Sequence, residues 1–406
     1  MMLGRKINLL IRKVWIKFEE VRYLIPDYLE MMFNRKKSID KERIVFVGTL
    51  IHGRIARTAK WLKRTTSKEI IFICNHNGYT DKLGNSSFDK VLTYRTPYGL
   101  RAILKEYDTP TTIFHTFGPP YEAASTVVKY VKKSKKIFDY QDLLVTNFGL
   151  KPPFSYMKKD MKKEEFVLKN VDGIVSHSLE LQTAKKYYGE IPAKKLFFPN
   201  YTDNDFFYHP TKTKVNDELS IVYIGSIMSD YRNKDYFGGQ MLHWLIHKME
   251  QQKIHFHIYP SPTLLAEHIV DYVELDKKYD FFHLHLSVPQ DQLTEELKQY
   301  DFGVIPFFHR TNKKLDDKRW YSTTLKMFNF FEAGLPILFG EDLWFQRFMG
   351  SKFNGSVSVT WEEFDDLHSK IEQVDYEKLV VSICEKRVEY SLKVQINRLI
   401  LFYNNL

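Results

Sequence analysis

The strongest constraint on this chain is an alternation of short apolar runs with segments of helical periodicity, repeated twice in series. Ile44-Val45-Phe46-Val47 reads as a strand, Gly48 to His52 as a loop and Arg54 to Arg64 as a helix. Further strands are expected at 70–74, 91–94, 111–115, 136–139 and 173–176, with helices at 97–106, 121–132, 157–169 and 179–188. A polar stretch, Thr202 to Glu218, then interrupts the pattern as a linker does. The alternation restarts at Ser220-Ile221-Val222-Tyr223-Ile224-Gly225. Strands follow near 254–259, 281–285, 302–306, 336–339 and 356–359, and helices at 233–252, 262–273, 290–299, 322–333, 342–348 and 361–371. Residues 376–404 read as helical. Strands alternating with helices imply parallel sheets covered on both faces.

With 406 residues the chain is too long for one ordinary core, on a prior of about 150 residues per domain. The expected fold is α/β, with two Rossmann-like doubly wound domains facing across a cleft. Residues 41–205 form the first domain, 206–375 the second, and the tail 376–406 is a candidate to cross back onto the first. Ligands of such sheets bind beyond the carboxyl ends of the strands, and clefts between domains are favoured sites.

Residues 1–40 form a separate extension. Leu3, Ile7, Leu10, Ile11, Val14, Phe18, Val21 and Ile25 recur at spacings of three and four, among Arg5, Lys6, Arg12, Lys13, Lys17 and Arg22. Pro26 is expected to break or kink this helix, and Arg35-Lys36-Lys37 follows it. Two readings stand: residues 1–37 lie on an anionic membrane surface, or the helix packs on the next domain with its basic face in solvent. The net charge of +10 suits phosphate-rich partners without choosing among them. Cys74 and Cys384 are far apart and join no Cys/His cluster, so neither a disulfide framework nor a structural zinc site is expected. Cys74, inside an apolar run, reads as a buried thiol in a reducing cytoplasm. No apolar run reaches membrane-spanning length, and the start lacks a signal-peptide cleavage site. The expected location is cytoplasmic, or peripheral at the inner membrane face.

The most informative segment runs from Tyr321 to Ile337 and carries Lys326, Phe328, Asn329, Glu332, Gly334 and Pro336. Gly334 is placed to cap the helix in a left-handed conformation. Together with Asp301-Phe-Gly-Val-Ile-Pro306, this segment resembles the donor-site region of glycosyltransferase family 4, a strand ending in Pro followed by P-x-K-l-f-E-y-l-a-x-G-x-P-v-i. Weaker likenesses accompany it in the family's order, at Ile113-Phe-His115, Phe138 to Asp142, Asp172 to Ser178, Lys195 to Asn200 and Val222 to Ser226. The resemblance covers about 43–375 and implies a GT-B fold and a retaining, metal-independent transfer of sugar from a nucleotide sugar. The chain departs from the pattern in three places. The family's ribose-binding Glu falls on Asn329, its partner Glu on Tyr321, and the G-R-l-x-x-x-K-G phosphate loop has only Arg232 and Lys234 as counterparts.

Such a transfer builds negative charge on the leaving diphosphate, which fixed cations and amides stabilise. Lys326, at the start of the expected helix, suits that charge, and the resemblance gives it the same role; a solvated lysine is the alternative. Gly225 and Ser226 suit close backbone approach to phosphate, or form a plain turn. Arg232 and Lys234 reach the same phosphates, or are surface charges. Asn329, one turn past Lys326, and Glu332, one turn further, suit ribose hydroxyls or the helix surface. His115, at an expected strand end, is the candidate proton acceptor, and the resemblance places a functional His near it. Asp139 and Asp142 orient it or bind sugar hydroxyls, and Asp142 also reads as a helix cap. His52 and Gly53 face the acceptor side. Asp203-Asn204-Asp205 matches a metal signature of another fold but lies in the linker, so no metal is expected. His255, His257, His283 and His285 read as strand surface. No cofactor is expected beyond the donor co-substrate.

The leading reading is thus a glycosyltransferase acting on a glycan, a lipid-linked acceptor or a protein-linked one. The second is an inactive GT-B-like subunit that binds a partner enzyme or glycan. A nucleotide-sugar epimerase lacks its acidic and histidine cluster here, and no nucleic-acid motif occurs.

Overall fold

A computed structural model of the chain describes residues 17–18, 21–33, 41–76, 86–208, 215–229, 240–261, 264, 269–306 and 316–406. The first domain holds β1 (Arg43–Gly48), β2 (Glu69–Asn75), β3 (Lys90–Tyr94), β4 (Thr112–Gly118), β5 (Lys135–Tyr140), β6 (Gly173–Ser176) and β7 (Lys194–Phe197). They form one sheet in the order β3-β2-β1-β4-β5-β6-β7. The second holds β8 (Ser220–Gly225), β9 (His255–Pro260), β10 (Phe282–Leu284), β11 (Phe302–Ile305), β12 (Ile337–Gly340) and β13 (Ser356–Val359), in the order β10-β9-β8-β11-β12-β13. The described pairings are parallel.

Helices cover both faces of each sheet, which is why the central strands are apolar throughout. All residues of β1, β4 and β11 are buried. Strand order reverses between β1 and β4 and again between β8 and β11, so each sheet has a crevice at the carboxyl end of its first strand. Those two crevices carry His52 and Gly225.

The segment around Thr202 is tied down rather than loose. Thr202 N donates to Tyr390 O (3.2 Å), and Leu392 N donates to Thr202 O (2.8 Å). The chain's two crossings between the domains therefore run side by side. The helix Tyr376–Glu389 places Val380 and Ile383 in the second domain's core. The next helix, Leu392–Asn404, packs Leu392, Ile396, Leu399 and Tyr403 into the first domain's core beside Ile44, Phe46 and Phe72. Burying each such side chain stabilises the fold by about 1.5–3 kcal/mol.

Several local expectations are corrected. Residues 21–33 are helical on both sides of Pro26, which does not break the helix. Docking contacts on either side hold that segment. Thr96 Oγ1 donates to Asp27 Oδ2 (2.5 Å), the Tyr28 and Tyr98 rings meet edge to face, and Arg95 stacks 4.1 Å over Tyr23. The helix expected from 322 begins at Lys326. The Ser322-Thr323-Thr324 run is irregular instead, as short hydroxyl side chains that compete for backbone hydrogen bonds favour. The helix expected at 262–273 is described at Val270–Lys278, and the one at 233–252 at His243–Gln251. The strand β7 and the helix Leu144–Phe148 were not anticipated.

Candidate functional site in the interdomain cleft

β8 ends in Gly225, whose φ of +110° is a conformation that side chains with a Cβ avoid. A Cβ at Gly225 would stand 2.4 Å from Lys326 Cε and 3.2 Å from Lys326 Nζ. The lysine thus lies directly against the turn, with Nζ 5.3 Å from the Tyr223 ring centroid. It is half-buried. Burial lowers its pKa to about 8, and the Asp142 carboxylate opposes that shift. Asp142 follows β5 in the other domain, so the pair face each other across the cleft.

A second lysine closes the same side. Lys318, on the helix Asp316–Tyr321, pairs with Asp142 and with buried Glu180, the latter at 3.0 Å. These two carboxylates raise its pKa against the burial that would lower it. Leu179 N donates to Tyr321 O (3.0 Å), and Thr183 Oγ1 to Asp317 Oδ2 (2.9 Å). Glu180 and Lys318 were missed in the sequence because 138 positions separate them.

On the first domain, His52 follows β1 and His177 follows β6. Burial lowers their pKa values to about 3 and about 4, so both rings are neutral near neutrality. His52 Nε2 and His177 Nδ1 are buried with no hydrogen-bond partner among the described residues. Buried polar atoms are normally satisfied, so these two unpartnered nitrogens stand out at the carboxyl ends of β1 and β6. His177 lies within the Asp172 to Ser178 likeness, where nothing in the sequence sets it apart from its neighbours. Gly53 is the first residue of the helix Gly53–Thr65.

His115 and Asp139 lie deeper than expected. His115 is mid-strand in β4 rather than at its end, and fully buried between the Phe46 and Phe117 rings. Its Nδ1 meets Tyr403 Oη at 2.6 Å, and its Nε2 stands 3.6 Å from Asp139 Oδ2. Asp139 accepts from Arg54 Nε (3.1 Å) and is itself buried. Arg54 also donates to Phe198 O (2.8 Å) and Asn200 Oδ1 (3.1 Å). The charge of Arg54 holds Asp139 below the usual carboxylate range against the burial that would raise it. This cluster lies within the first domain's interior, and His115 has no exposed surface.

Asn329 and Glu332 are turned from the donor side to the domain junction. Arg57, on the helix Gly53–Thr65, donates to Glu332 Oε1 (2.6 Å) and Oε2 (2.9 Å) and to Asn329 Oδ1 (2.9 Å). Glu332 Oε1 also accepts from Asp203 N (2.8 Å). Asp203 and Asp205 are taken up as well. Asp203 accepts from Trp61 Nε1 (2.9 Å) and Lys60 (2.5 Å), and Asp205 from Arg64 (2.9 Å) and Lys60 (2.9 Å). Ser226 is half-buried beside Gly225, its carbonyl accepting from Tyr223 Oη (2.8 Å). Arg232 and Lys234 lie outside the described residues.

Two doubly wound parallel sheets whose crevices face each other define the GT-B architecture, and the chain has that fold. No family model and no curated protein matches the sequence. Among solved structures it is similar to sucrose-phosphate synthase from Thermosynechococcus elongatus, at 12% identity and a TM-score of 0.65 over 90% of this chain and 99% of that one. It is similar to the lipopolysaccharide outer core galactosyltransferase WaaB, at 10% identity and a TM-score of 0.56 over 90% of this chain and 100% of that one. It also resembles the N-terminal domain of trehalose-6-phosphate phosphatase from Candida albicans, at 11% identity and a TM-score of 0.57 over 91% and 98%.

Proposed function

We propose that this protein is a glycosyltransferase that moves a sugar from a nucleotide-sugar donor to a glycan, a lipid-linked acceptor or a protein-linked acceptor. The observation that carries the reading is Lys326 laid against the Gly225 turn, opposite Asp142, His52 and His177 of the other domain. The diphosphate sits on the Gly225 backbone, where a side chain would collide with Lys326, and the Lys326 ammonium takes up the charge that grows on the leaving phosphate. His52 and His177 orient the acceptor by accepting hydrogen bonds. Rings of such low basicity are poor proton sinks at neutral pH. The leaving phosphate then receives the acceptor's proton, consistent with the retaining chemistry that the family 4 resemblance implies. Metal independence has support in the D-x-D carboxylates Asp203 and Asp205, both already paired with cations.

Melting the protein with a panel of UDP-, GDP-, ADP- and CMP-sugars tests the donor site, since a ligand of the native state raises the melting temperature. Failure of every nucleotide to do so rejects the reading.

The second reading, an inactive subunit that binds a partner enzyme or glycan, is favoured by one observation. The ribose-side positions Asn329 and Glu332 are both held by Arg57. Sugar transfer by wild type that is lost in Lys326→Ala excludes it.

We place the enzyme at an anionic membrane face in cell-surface glycan assembly, on the cytoplasmic side. No described helix is long and apolar enough to cross a membrane. The helix at 21–33 instead docks one stripe on the protein and presents Ile25 (69% exposed), Leu29 (47%), Met32 (54%) and Phe33 (72%) outward. Apolar residues facing water suit the headgroup boundary, and the basic residues of the extension, Arg12, Lys13, Lys17 and Arg35 to Lys37, lie before and after this helix in the sequence. In liposome flotation the full chain should float with anionic vesicles and a chain lacking 1–37 should not; equal binding removes the membrane role.

A further inference from the structure

The second domain carries a cluster of imidazoles that the cleft does not use. β9 and β10 are neighbouring parallel strands in register, with His257 opposite His283. Side chains two residues apart share a face of a strand, so His255 and His257 project from β9 beside His283 and His285. The four rings form a staircase. His255 and His283 stack at 5.2 Å, His283 and His257 at 4.5 Å, and His257 and His285 at 5.2 Å. His255 Nδ1 lies 2.9 Å from His283 Nε2, and His257 Nδ1 lies 2.9 Å from His285 Nε2. The Tyr259 ring stacks 4.3 Å from His285, and the Tyr300 ring packs 4.6 Å from His257.

Four imidazoles in a row is an odd way to finish a sheet edge. Protonated, they would repel one another, and β10 has only three residues to hold the edge. Neutral imidazole is the ligand form for zinc and its neighbours in the first transition row. One ligand nitrogen from each of His255, His257 and His283 lies within 4.8 Å of the others. Nitrogens bound about 2.0–2.1 Å from one ion stand about 3 Å apart, so small rotations bring them around a common centre.

We propose that His255, His257 and His283, with His285 as alternate or fourth ligand, bind one divalent transition cation of the zinc class. The ion takes the place of the hydrogen bond between facing rings, and the proton there moves to the donor ring's other nitrogen, so that both rings bind as neutral imidazoles. It joins β9 to the short edge strand β10, outside the cleft. Its influence on the donor site is indirect: Ser261, the residue after β9, donates to Gly225 O (3.1 Å). The role is to fasten the sheet edge, not to perform the transfer.

The test uses the full, tag-free chain after chelator treatment, titrated with Zn²⁺ by calorimetry. One Zn²⁺ per chain is expected, with a rise in melting temperature. His257→Gln/His283→Gln should weaken binding at least about tenfold, while His76→Gln/His368→Gln, which removes two exposed histidines, should leave it unchanged. Circular dichroism shows whether the double variant is folded. If it is not, the single variant His255→Gln, on a half-exposed ring, gives the same comparison. Co²⁺ in place of Zn²⁺ should give visible absorption bands that the ligand variant lacks. Less than one Zn²⁺ per wild-type chain, or equal loss in the control variant, overturns the proposal.

Discussion

Arg57 reaches from the first domain to clasp Glu332 of the second, its two terminal nitrogens 2.6 and 2.9 Å from the two carboxylate oxygens, with both side chains buried. The second domain's Arg387 closes the same block by donating to Glu332 O (2.7 Å). Removing one partner strands the other charge in the interior. Arg57→Ala or Glu332→Ala should lower stability by about 3–5 kcal/mol in urea unfolding. Arg57→Met/Glu332→Met should recover much of that loss, because an apolar pair leaves no buried charge. Equal losses in single and double variants would show that the clasp is not an energetic unit.

Gly225→Ala combines a disfavoured φ with a collision against Lys326. The lysine side chain must leave the turn to make room. Nucleoside diphosphate affinity should fall at least about tenfold, since one displaced cation costs more than 1.4 kcal/mol. Unchanged affinity by calorimetry would separate Lys326 from the phosphate site.

Lys326 titrates near 8 in the free protein. Its ammonium is present below that pH and lost above it, so affinity for a nucleoside diphosphate should fall as pH rises through 8. Lys326→Gln should bind more weakly at every pH and lose this dependence. A parallel decline in the variant would assign the titration to another group.

His52 and His177 have folded pKa values of about 3 and about 4, below the ordinary 6.5. Between those values and 6.5 the unfolded chain takes up protons that the native state refuses. Stability should therefore fall as pH drops from 6.5 towards 4, each ring contributing up to about 1.4 kcal/mol per pH unit. In His52→Gln/His177→Gln the slope of unfolding free energy against pH should be shallower, and an unaltered slope would refute this assignment.

Tyr403→Phe removes the hydroxyl that meets His115 Nδ1 in the first domain's core. Leaving that ring nitrogen unsatisfied should cost about 1–3 kcal/mol in unfolding experiments, while the rate of sugar transfer stays close to wild type. A large loss of rate without loss of stability would return His115 to the chemistry.

The double winding was legible because strands buried on both faces leave unbroken apolar runs such as Ile70 to Cys74. β7 was not, since Lys194-Lys195-Leu196-Phe197 is an exposed edge without such a run. Lys326 and Gly225 were traceable through the helix-glycine-proline pattern and the strand ending in glycine. The depth of His115 was hidden because the helix Leu392–Asn404, which covers it, lies almost three hundred positions away. The same blindness to register made His257 and His283 look like separate surface residues. Arg57 looked like any arginine on an amphipathic helix, since its partners are 272 and 275 positions distant.

The return of the helix Leu392–Asn404 to the first domain bears on how the molecule is made. A ribosome delivers the first sheet long before the segment that seals it, so Ile44 and Phe46 wait beneath an uncovered flank during synthesis of the second domain. Early folding of the leading half is therefore provisional, and its final consolidation waits until the helix Leu392–Asn404 has been made. Damage to this late helix, such as loss of Leu399 and Tyr403, would be felt in a sheet made long before it.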